Sequence, residues 1–72
     1  SLSQNINNKV DLISIVAIVN DEPITAVDLN TRIQLIIISS NLPKNLETRE
    51  NLYGSVLQSL IDEKLQAQEA QK

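Results

Sequence analysis

The segment Ile15–Leu29, with the sequence IVAIVNDEPITAVDL, joins an apolar run to a polar turn and then to the start of a helix. The run Ile13–Val19 is short and rich in β-branched residues, and both alternating sets of its side chains are apolar. These sets are Ile13, Ile15, Ala17 and Val19 on one side, and Val16 and Ile18 on the other. The pattern predicts a strand that is covered on both faces.

The residues after this strand predict a turn, a return strand and a helix. Asn20 and Asp21 tolerate turn dihedrals and can bond their own backbone, so they end the strand. Pro23 begins a short return strand at a position where no ladder donor is needed. Thr25 is a suitable helix N-cap, and Asp28 places a carboxylate beside the unpaired amides of the first helical turn. The sequence thus predicts a hairpin that leads directly into a helix.

We expect this first helix over 26–41. Four apolar residues have the spacing of a buried stripe, namely Leu29, Ile33, Ile36 and Ile37. Asp28 and Arg32 are spaced as an i,i+4 ion pair in the favourable order. Over 35–38 the helix is apolar on all sides, so it is either buried almost completely or presents apolar surface to a partner. Pro43 stops the helix, because the residue before a proline is disfavoured in the helical region.

A second helix is expected over 46–70, with Asn45 or Thr48 as its cap. Two rows of apolar residues run along it, Tyr53, Leu57, Ile61 and Leu65 in one row and Leu52, Val56 and Leu60 in the other. Gly54 in the interior costs about 1 kcal/mol relative to alanine, which indicates a close approach of another helix. Residues 66–72 are helix-prone but have few apolar anchors, so we expect this end to fray or to need further sequence.

Length and composition predict one small domain. The chain has 72 residues, of which Tyr53 is the only aromatic one, and it lacks Cys, Met, Trp, Phe and His. Without disulfides or metal ligands, its stability must come from aliphatic packing or from a partner. We expect a flexible lead-in over 1–9 and an α+β domain, mostly α, over 10–72. In this domain an N-terminal β-hairpin over 12–25 precedes the two long helices.

Charge and composition argue against several functional classes. The net charge is −3 and the six basic residues are scattered, which argues against binding to nucleic acid or to an anionic membrane. No apolar run reaches the about 18 residues of a membrane span, and no signal-peptide pattern is present. The chain also lacks the residues of a Ser–His or Cys–His nucleophile, a zinc site or a glycine-rich phosphate loop.

Two carboxylate pairs are the remaining candidates for chemistry. Asp21 and Glu22 lie in the expected turn, and Asp62 and Glu63 lie between the apolar rows of the second helix. We interpret both pairs as solvated side chains, because a two-carboxylate enzyme needs a pocket that so short a chain cannot build. We therefore expect no catalysis, no metal and no cofactor in this chain.

Three parts of the sequence together resemble the N-terminal domain of SurA-type periplasmic chaperones. They are IVAIVNDEPITAVDLNTRI over Ile15–Ile33, the helix break Asn41–Pro43, and the apolar and charged segment Leu57–Leu65. Each part alone is unspecific, whereas their order and spacing are more specific. The resemblance spans roughly Lys9–Gln68 and so covers most of the chain.

The resemblance implies an incomplete SurA-like N-terminal chaperone module in the periplasm. In this family the region packs with further helices and a C-terminal segment, and holds unfolded outer-membrane polypeptides without ATP. The parent proteins often carry parvulin-type peptidyl-prolyl isomerase domains, and nothing of such a domain is present in these residues. The implied partners are unfolded outer-membrane polypeptides and the missing C-terminal segments of the parent.

Apolar residues that exceed what a hairpin and two helices can cover are the candidate contacts with a client or partner. They are Leu35, Ile36, Ile37, Ile38 and Leu42. A core role is the alternative for each of them, because core and client-facing positions look alike in sequence. Two other functions stay open: a non-catalytic dimerisation or targeting arm of a peptidyl-prolyl isomerase, and a helical hairpin that oligomerises a larger protein. A homo-oligomer through swapped helices or paired strand edges is also expected.

Overall fold

The computed structural model describes residues 14–72, which form a β-hairpin followed by two helices. The elements are β1 (Ile15–Val19), β2 (Glu22–Thr25), α1 (Ala26–Ser39) and α2 (Leu46–Ala70). The prediction of an α+β fold that is mostly helical is confirmed. The second helix has its predicted bounds, and the first begins at the predicted residue but ends two residues early. The expected lead-in over 1–9 and the first two residues of the expected hairpin lie outside the described residues.

The turn between the strands consists of Asn20 and Asp21, whose φ angles are 50° and 72°. Val19 pairs with Glu22, so only these two residues connect β1 to β2. Positive φ at both central residues is the requirement of a type I′ turn, whose twist matches that of an antiparallel pair. Asn and Asp enter this region at a lower cost than most residues with a side chain, which explains their place here.

A β-bulge in β1 decides which of its side chains face the helices. The register is irregular between Ile15 and Ala17, where Val16 is the extra residue. Val16 packs against the helical core and Val19 is buried. In contrast, Ile15 is 55% exposed and Ile18 is 66% exposed. The prediction of a strand covered on both faces is therefore wrong: the bulge breaks the alternation, and the helices cover only one face of the sheet.

A capping box begins α1. The Asp28 carboxylate accepts a hydrogen bond of 2.9 Å from the Thr25 backbone N–H, and the Thr25 hydroxyl accepts one of 3.3 Å from the Asp28 N–H. The predicted N-cap is confirmed. The predicted pair of Asp28 with Arg32 does not form, because the carboxylate is engaged by the cap and Arg32 binds Glu63 on α2 instead.

The end of α1 is a Schellman motif. Asn41 has a φ of 54°, and the backbone N–H of Leu42 donates to the Ile37 carbonyl at 3.0 Å. The Asn41 N–H donates to the Ile38 carbonyl at 3.3 Å, which completes the pair of bonds that defines this motif. After the connection, the Asn45 side chain accepts a bond of 2.9 Å from the Thr48 N–H, so Asn45 is the N-cap of α2.

One stripe of each helix forms the core. Leu29, Ile33 and Ile37 of α1 are buried against Val56 of α2. Partly buried residues surround this cluster, namely Val16, Ile36, Leu42, Leu52, Leu57 and Leu60. Of the two apolar rows on α2, the row that contains Val56 therefore faces α1. The predicted stripe of α1 is confirmed for its three buried members, whereas Ile36 lies at the edge of the core.

Gln68 joins the last turns of α2 to the hairpin. Its side-chain N–H group donates to the backbone carbonyl of Val19 at 2.7 Å and to the Glu22 carboxylate at 3.1 Å. Its side-chain carbonyl accepts a bond of 3.0 Å from the Asn20 amide. Lys64 adds an ion pair of 3.7 Å with Glu22. The expectation that this end frays is wrong for the structure, because these polar contacts replace the missing apolar anchors and α2 stays helical to Ala70.

We predict that Gln68→Ala destabilises the fold by about 1–2 kcal/mol, because it leaves the partly buried Val19 carbonyl without its donor. Urea unfolding followed by far-ultraviolet circular dichroism measures the change. Gln66→Ala is the matched control. Gln66 is exposed on the same helical turns, and its substitution removes no contact with the hairpin. Equal stabilities of the two variants would contradict this account of how α2 is held.

Gly54 does not mark a close helix contact. It is exposed in the middle of α2, and a Cβ added to it would meet no atom within 4 Å. The expectation drawn from the sequence is therefore wrong, and the glycine brings its helix penalty without a packing benefit.

We predict that Gly54→Ala stabilises the protein by about 1 kcal/mol, because alanine loses less backbone entropy on entering a helix. The same denaturant titration applies. Ser59→Gly, at an exposed position of the same helix, should shift the free energy of unfolding in the opposite direction. Loss of stability in Gly54→Ala would show that a contact is made at this position.

Candidate functional site

The five candidate contact residues fall into three environments. Leu35 and Ile38 are each 59% exposed on α1. Ile36 and Leu42 are partly buried against the core. Ile37 is 1% exposed and belongs to the core itself. The expectation that Ile37 exceeds what the fold can cover is wrong, because it lies on the same helical stripe as Leu29 and meets α2.

Leu42 has a structural role that its position in the Schellman motif explains. This motif commonly brings the residue after the left-handed position into contact with the third residue from the helix end. Here these residues are Leu42 and Ile37, and Leu42 packs against the cluster that contains Ile37. The candidate set therefore reduces to Leu35 and Ile38 as the residues that a partner could reach freely.

The outer face of α1 carries three exposed apolar residues, Val27, Leu35 and Ile38. They lie on the side of the helix opposite to the buried stripe, because an α-helix completes one turn in about 3.6 residues. We call them the α1 outer face. Val27 was not a sequence candidate, although its spacing of eight from Leu35 could have placed it there.

The outer face of the hairpin is a second exposed apolar surface. Ile15 and Ile18 of β1 point away from the helices, and Pro23 of β2 pairs with Ile18. Among residues 14–72, no strand pairs with the second edge of β1. This surface is not among the sequence candidates, because only the bulge brings Ile15 to the side of Ile18.

Exposed apolar residues also occur on α2, where they are Leu46, Tyr53 and Leu65. Tyr53 and Leu65 belong to the apolar row without Val56, of which Leu57 packs against the core. Leu46 begins the helix and is 69% exposed, the highest value among these large apolar side chains.

Two open grooves lie between the helices. The first has a volume of about 290 Å³ and lies near the hairpin, with the lining residues Ile24, Asp28, Leu60, Glu63, Lys64 and Ala67. The second has a volume of about 330 Å³ and lies at the opposite end of α1, with the lining residues Gln34, Ile37, Lys44, Asn45, Leu46 and Arg49. Both volumes are at the lower end of the range for ligand pockets, so each suits one or two side chains better than a large cofactor.

The charged groups that line the first groove are engaged by residues outside its lining, Glu63 by Arg32, Lys64 by Glu22 and Asp28 by Thr25. Arg32 forms a two-point ion pair with Glu63, with N···O distances of 2.6 and 2.8 Å. This hydrogen bonding lowers the pKa of Glu63 and raises the pKa of Arg32 from their usual values. The hydrogen bonds from Thr25 lower the pKa of Asp28. These shifts favour the charged forms, as structural ion pairs and caps do, and neither carboxylate is poised as a proton donor near neutral pH.

The described residues contain no group of three or more His, Cys, Asp or Glu side chains arranged to hold a metal ion. Neither helix within residues 14–72 has the length and apolar character needed to cross a membrane. No protein-family model, curated protein or solved structure matches this chain. The resemblance to SurA-type chaperones therefore stays a prediction.

We predict that the protein loses stability as the pH falls below about 4, because Asp28 and Glu63 have lowered pKa values in the folded state. Their contribution is complete above the pKa of an unfolded carboxyl group and disappears as the folded-state groups take up protons. Asp28→Asn should cost about 0.5–1 kcal/mol at neutral pH and flatten the acid decline. Thermal unfolding between about pH 7 and about pH 2.5 measures both effects.

Glu50→Gln is the control for this series, because it also removes one negative charge from an exposed helical position. Its acid decline should follow that of the wild type. An unchanged decline in Asp28→Asn would contradict the role of the capping carboxylate.

Proposed function

We propose that this chain is part of an ATP-independent periplasmic chaperone of the SurA type, and that it binds unfolded outer-membrane polypeptides through apolar surface. The observation that carries the proposal is the exposure of the α1 outer face and of Ile15 and Ile18 on the hairpin. These branched side chains lie outside a core that the described elements complete without them.

The size of the apolar contact fits reversible holding. Full burial of a leucine or isoleucine side chain contributes about 1.5–3 kcal/mol, and these residues have about half of their surface left to bury. Four such contacts would contribute about 3–6 kcal/mol before the entropy cost of association. A single chain would therefore bind a client segment weakly, and a client would be held through several weak contacts that need no ATP for release.

The edge of β1 with which no strand of residues 14–72 pairs supports binding to extended chains. An unpaired edge presents backbone N–H and C=O groups, to which another extended segment can add as a strand. The edge residues Ile15–Val19 carry no charge and no proline, so they do not repel such a segment. Backbone pairing does not depend on the client sequence, as a chaperone of many clients requires.

The proposal assigns no catalysis and no cofactor to this chain. Isomerase activity would belong to parvulin-type domains of the parent, and the parent's further segments would cover part of the exposed surface. Location in the periplasm follows from the family resemblance alone. Binding to nucleic acid and insertion into a membrane form no part of the proposal, and the net charge of −3 is in keeping with this.

The thinness of the structure favours a second candidate function, a dimerisation or targeting arm of a peptidyl-prolyl isomerase. The shortest principal dimension is 15 Å, little more than the diameter of one helix with its side chains. Each element therefore has one face without a second layer. A copy of the chain could supply that layer through swapped helices or through pairing at the edge of β1.

We predict that the wild-type chain slows the aggregation of an unfolded outer-membrane barrel protein diluted from urea. The double variant Leu35→Gln with Ile38→Gln should lose roughly half or more of this protection, because it removes most of the apolar area of α1 that a client can cover. Its circular dichroism should stay helical, since neither residue belongs to the core. Light scattering by the client measures protection.

Tyr53→Gln with Leu65→Gln is the matched control, because it removes two exposed apolar side chains from α2. This control should retain protection if the α1 outer face is the holding surface. Full protection by the double variant Leu35→Gln with Ile38→Gln would contradict the proposal. No protection by a folded wild type would also contradict it. A defined dimer that has no affinity for the client would favour the second candidate.

A further inference from the structure

Two positive charges beside the second groove have no carboxylate partner within residues 14–72. Among residues 14–72 there are five Lys and Arg side chains, and three of them form ion pairs: Arg32 with Glu63, Lys64 with Glu22, and Lys72 with Glu69. The other two are Lys44 and Arg49, and both line the second groove. On an acidic chain, this groove is therefore a local positive site within the described part.

Arg49 is held in place rather than left free. Its guanidinium donates to the Asn30 side-chain carbonyl at 2.8 Å and to the Gln34 side-chain carbonyl at 3.4 Å. Both partners are neutral amides of α1, so they fix the orientation of the guanidinium and leave its charge uncompensated. A positioned guanidinium loses little further freedom when it binds a carboxylate.

Apolar surface lies directly beside these charges. The exposed side chain of Leu46 lies at the rim of the groove, whereas Ile37 is 1% exposed and supports the groove from within the core. The two nearby acids on α2, Glu47 and Glu50, are not among the lining residues. The groove thus offers two cations and a branched aliphatic surface to the same ligand.

We infer that the second groove binds polypeptide segments in which a carboxylate side chain stands beside an aliphatic one. Charge complementarity selects the carboxylate, and the exposed side chain of Leu46 selects the aliphatic neighbour. A volume of about 330 Å³ suits one or two side chains of an extended peptide. This inference rests on the proposed function, because it names a class of client segment that the chain would prefer among the apolar segments it holds.

The test uses two fluorescein-labelled peptides that alternate leucine with glutamate or leucine with glutamine and are otherwise identical. Fluorescence anisotropy should show that the wild type binds the glutamate peptide about fivefold more tightly than the glutamine peptide, as two exposed ion pairs would give. Raising the salt from about 0.03 M to about 0.3 M should reduce this preference, because exposed charges are screened.

Lys44→Gln should remove most of the preference, and Lys72→Gln should keep it. Both variants lose one positive charge at an exposed position, but Lys72 lies at the other end of α2 and is paired with Glu69. Equal affinity of the wild type for the two peptides would overturn the inference, and so would an equal effect of the two lysine variants. Vesicles with phosphatidylglycerol that bind in a Lys44-dependent way, without any discrimination between the peptides, would also overturn it.

The outcome can be separated from that of the proposed function. A wild type that protects the barrel protein but treats both peptides alike overturns this inference and leaves the chaperone proposal standing. A wild type that distinguishes the peptides but gives no protection supports the groove and overturns the chaperone proposal.

Discussion

The contact of Leu29, Ile33 and Ile37 with Val56 holds α1 against α2, and the rest of the structure depends on it. Only one stripe of α1 takes part in this contact, so the contact determines which side of the helix is exposed to solvent. The same contact determines where the two grooves lie, because both grooves follow the line along which the helices meet. The surface that a partner can reach is therefore a direct consequence of how this small core is made.

Polar interactions complete what so small a core cannot define. The Thr25 capping box fixes the start of α1, and the Schellman motif around Asn41 fixes its end. Gln68 then fixes the hairpin against the far end of α2. Each contact alone contributes little free energy, but each specifies one geometry. Together they position the hairpin and both grooves in a chain without cysteine, and so without the disulfides that stabilise many domains of this size.

The parts of the fold that depend on neighbouring residues could be predicted from the sequence. Thr25 and Asn45 cap their helices through side chains three residues away from the amides they bind. The residue types therefore indicate Thr25 directly and Asn45 as one of two candidates with Thr48. The bulge at Val16 could not be predicted, because it depends on the register that β1 adopts with β2. The contacts of Gln68 could not be predicted either, because Gln68 and Val19 lie 49 positions apart. The candidate surface was predicted only in part: Leu35 and Ile38 were sequence candidates, whereas Ile15 and Ile18 became part of it through the bulge.

Ile37 and Ile38 show where the prediction of the surface reaches its limit. The two residues are identical in type and adjacent in sequence, yet one is 1% exposed and the other 59%. A turn of about 100° per residue separates them on the helix, and only the position of α2 decides which one is covered. The apolar run identified the right part of α1, whereas the choice between its members required the packed structure.

The bulge in β1 has a consequence for how the protein behaves at high concentration. A flat, uncharged edge strand is a template for stacking identical chains into fibrils, in which every strand must keep the same spacing. The extra residue Val16 interrupts the ladder and increases the local twist. A short extended segment can still pair beside it, but an endless row of copies cannot stay in register. The same irregularity that turns Ile15 outward therefore opposes amyloid growth from that edge.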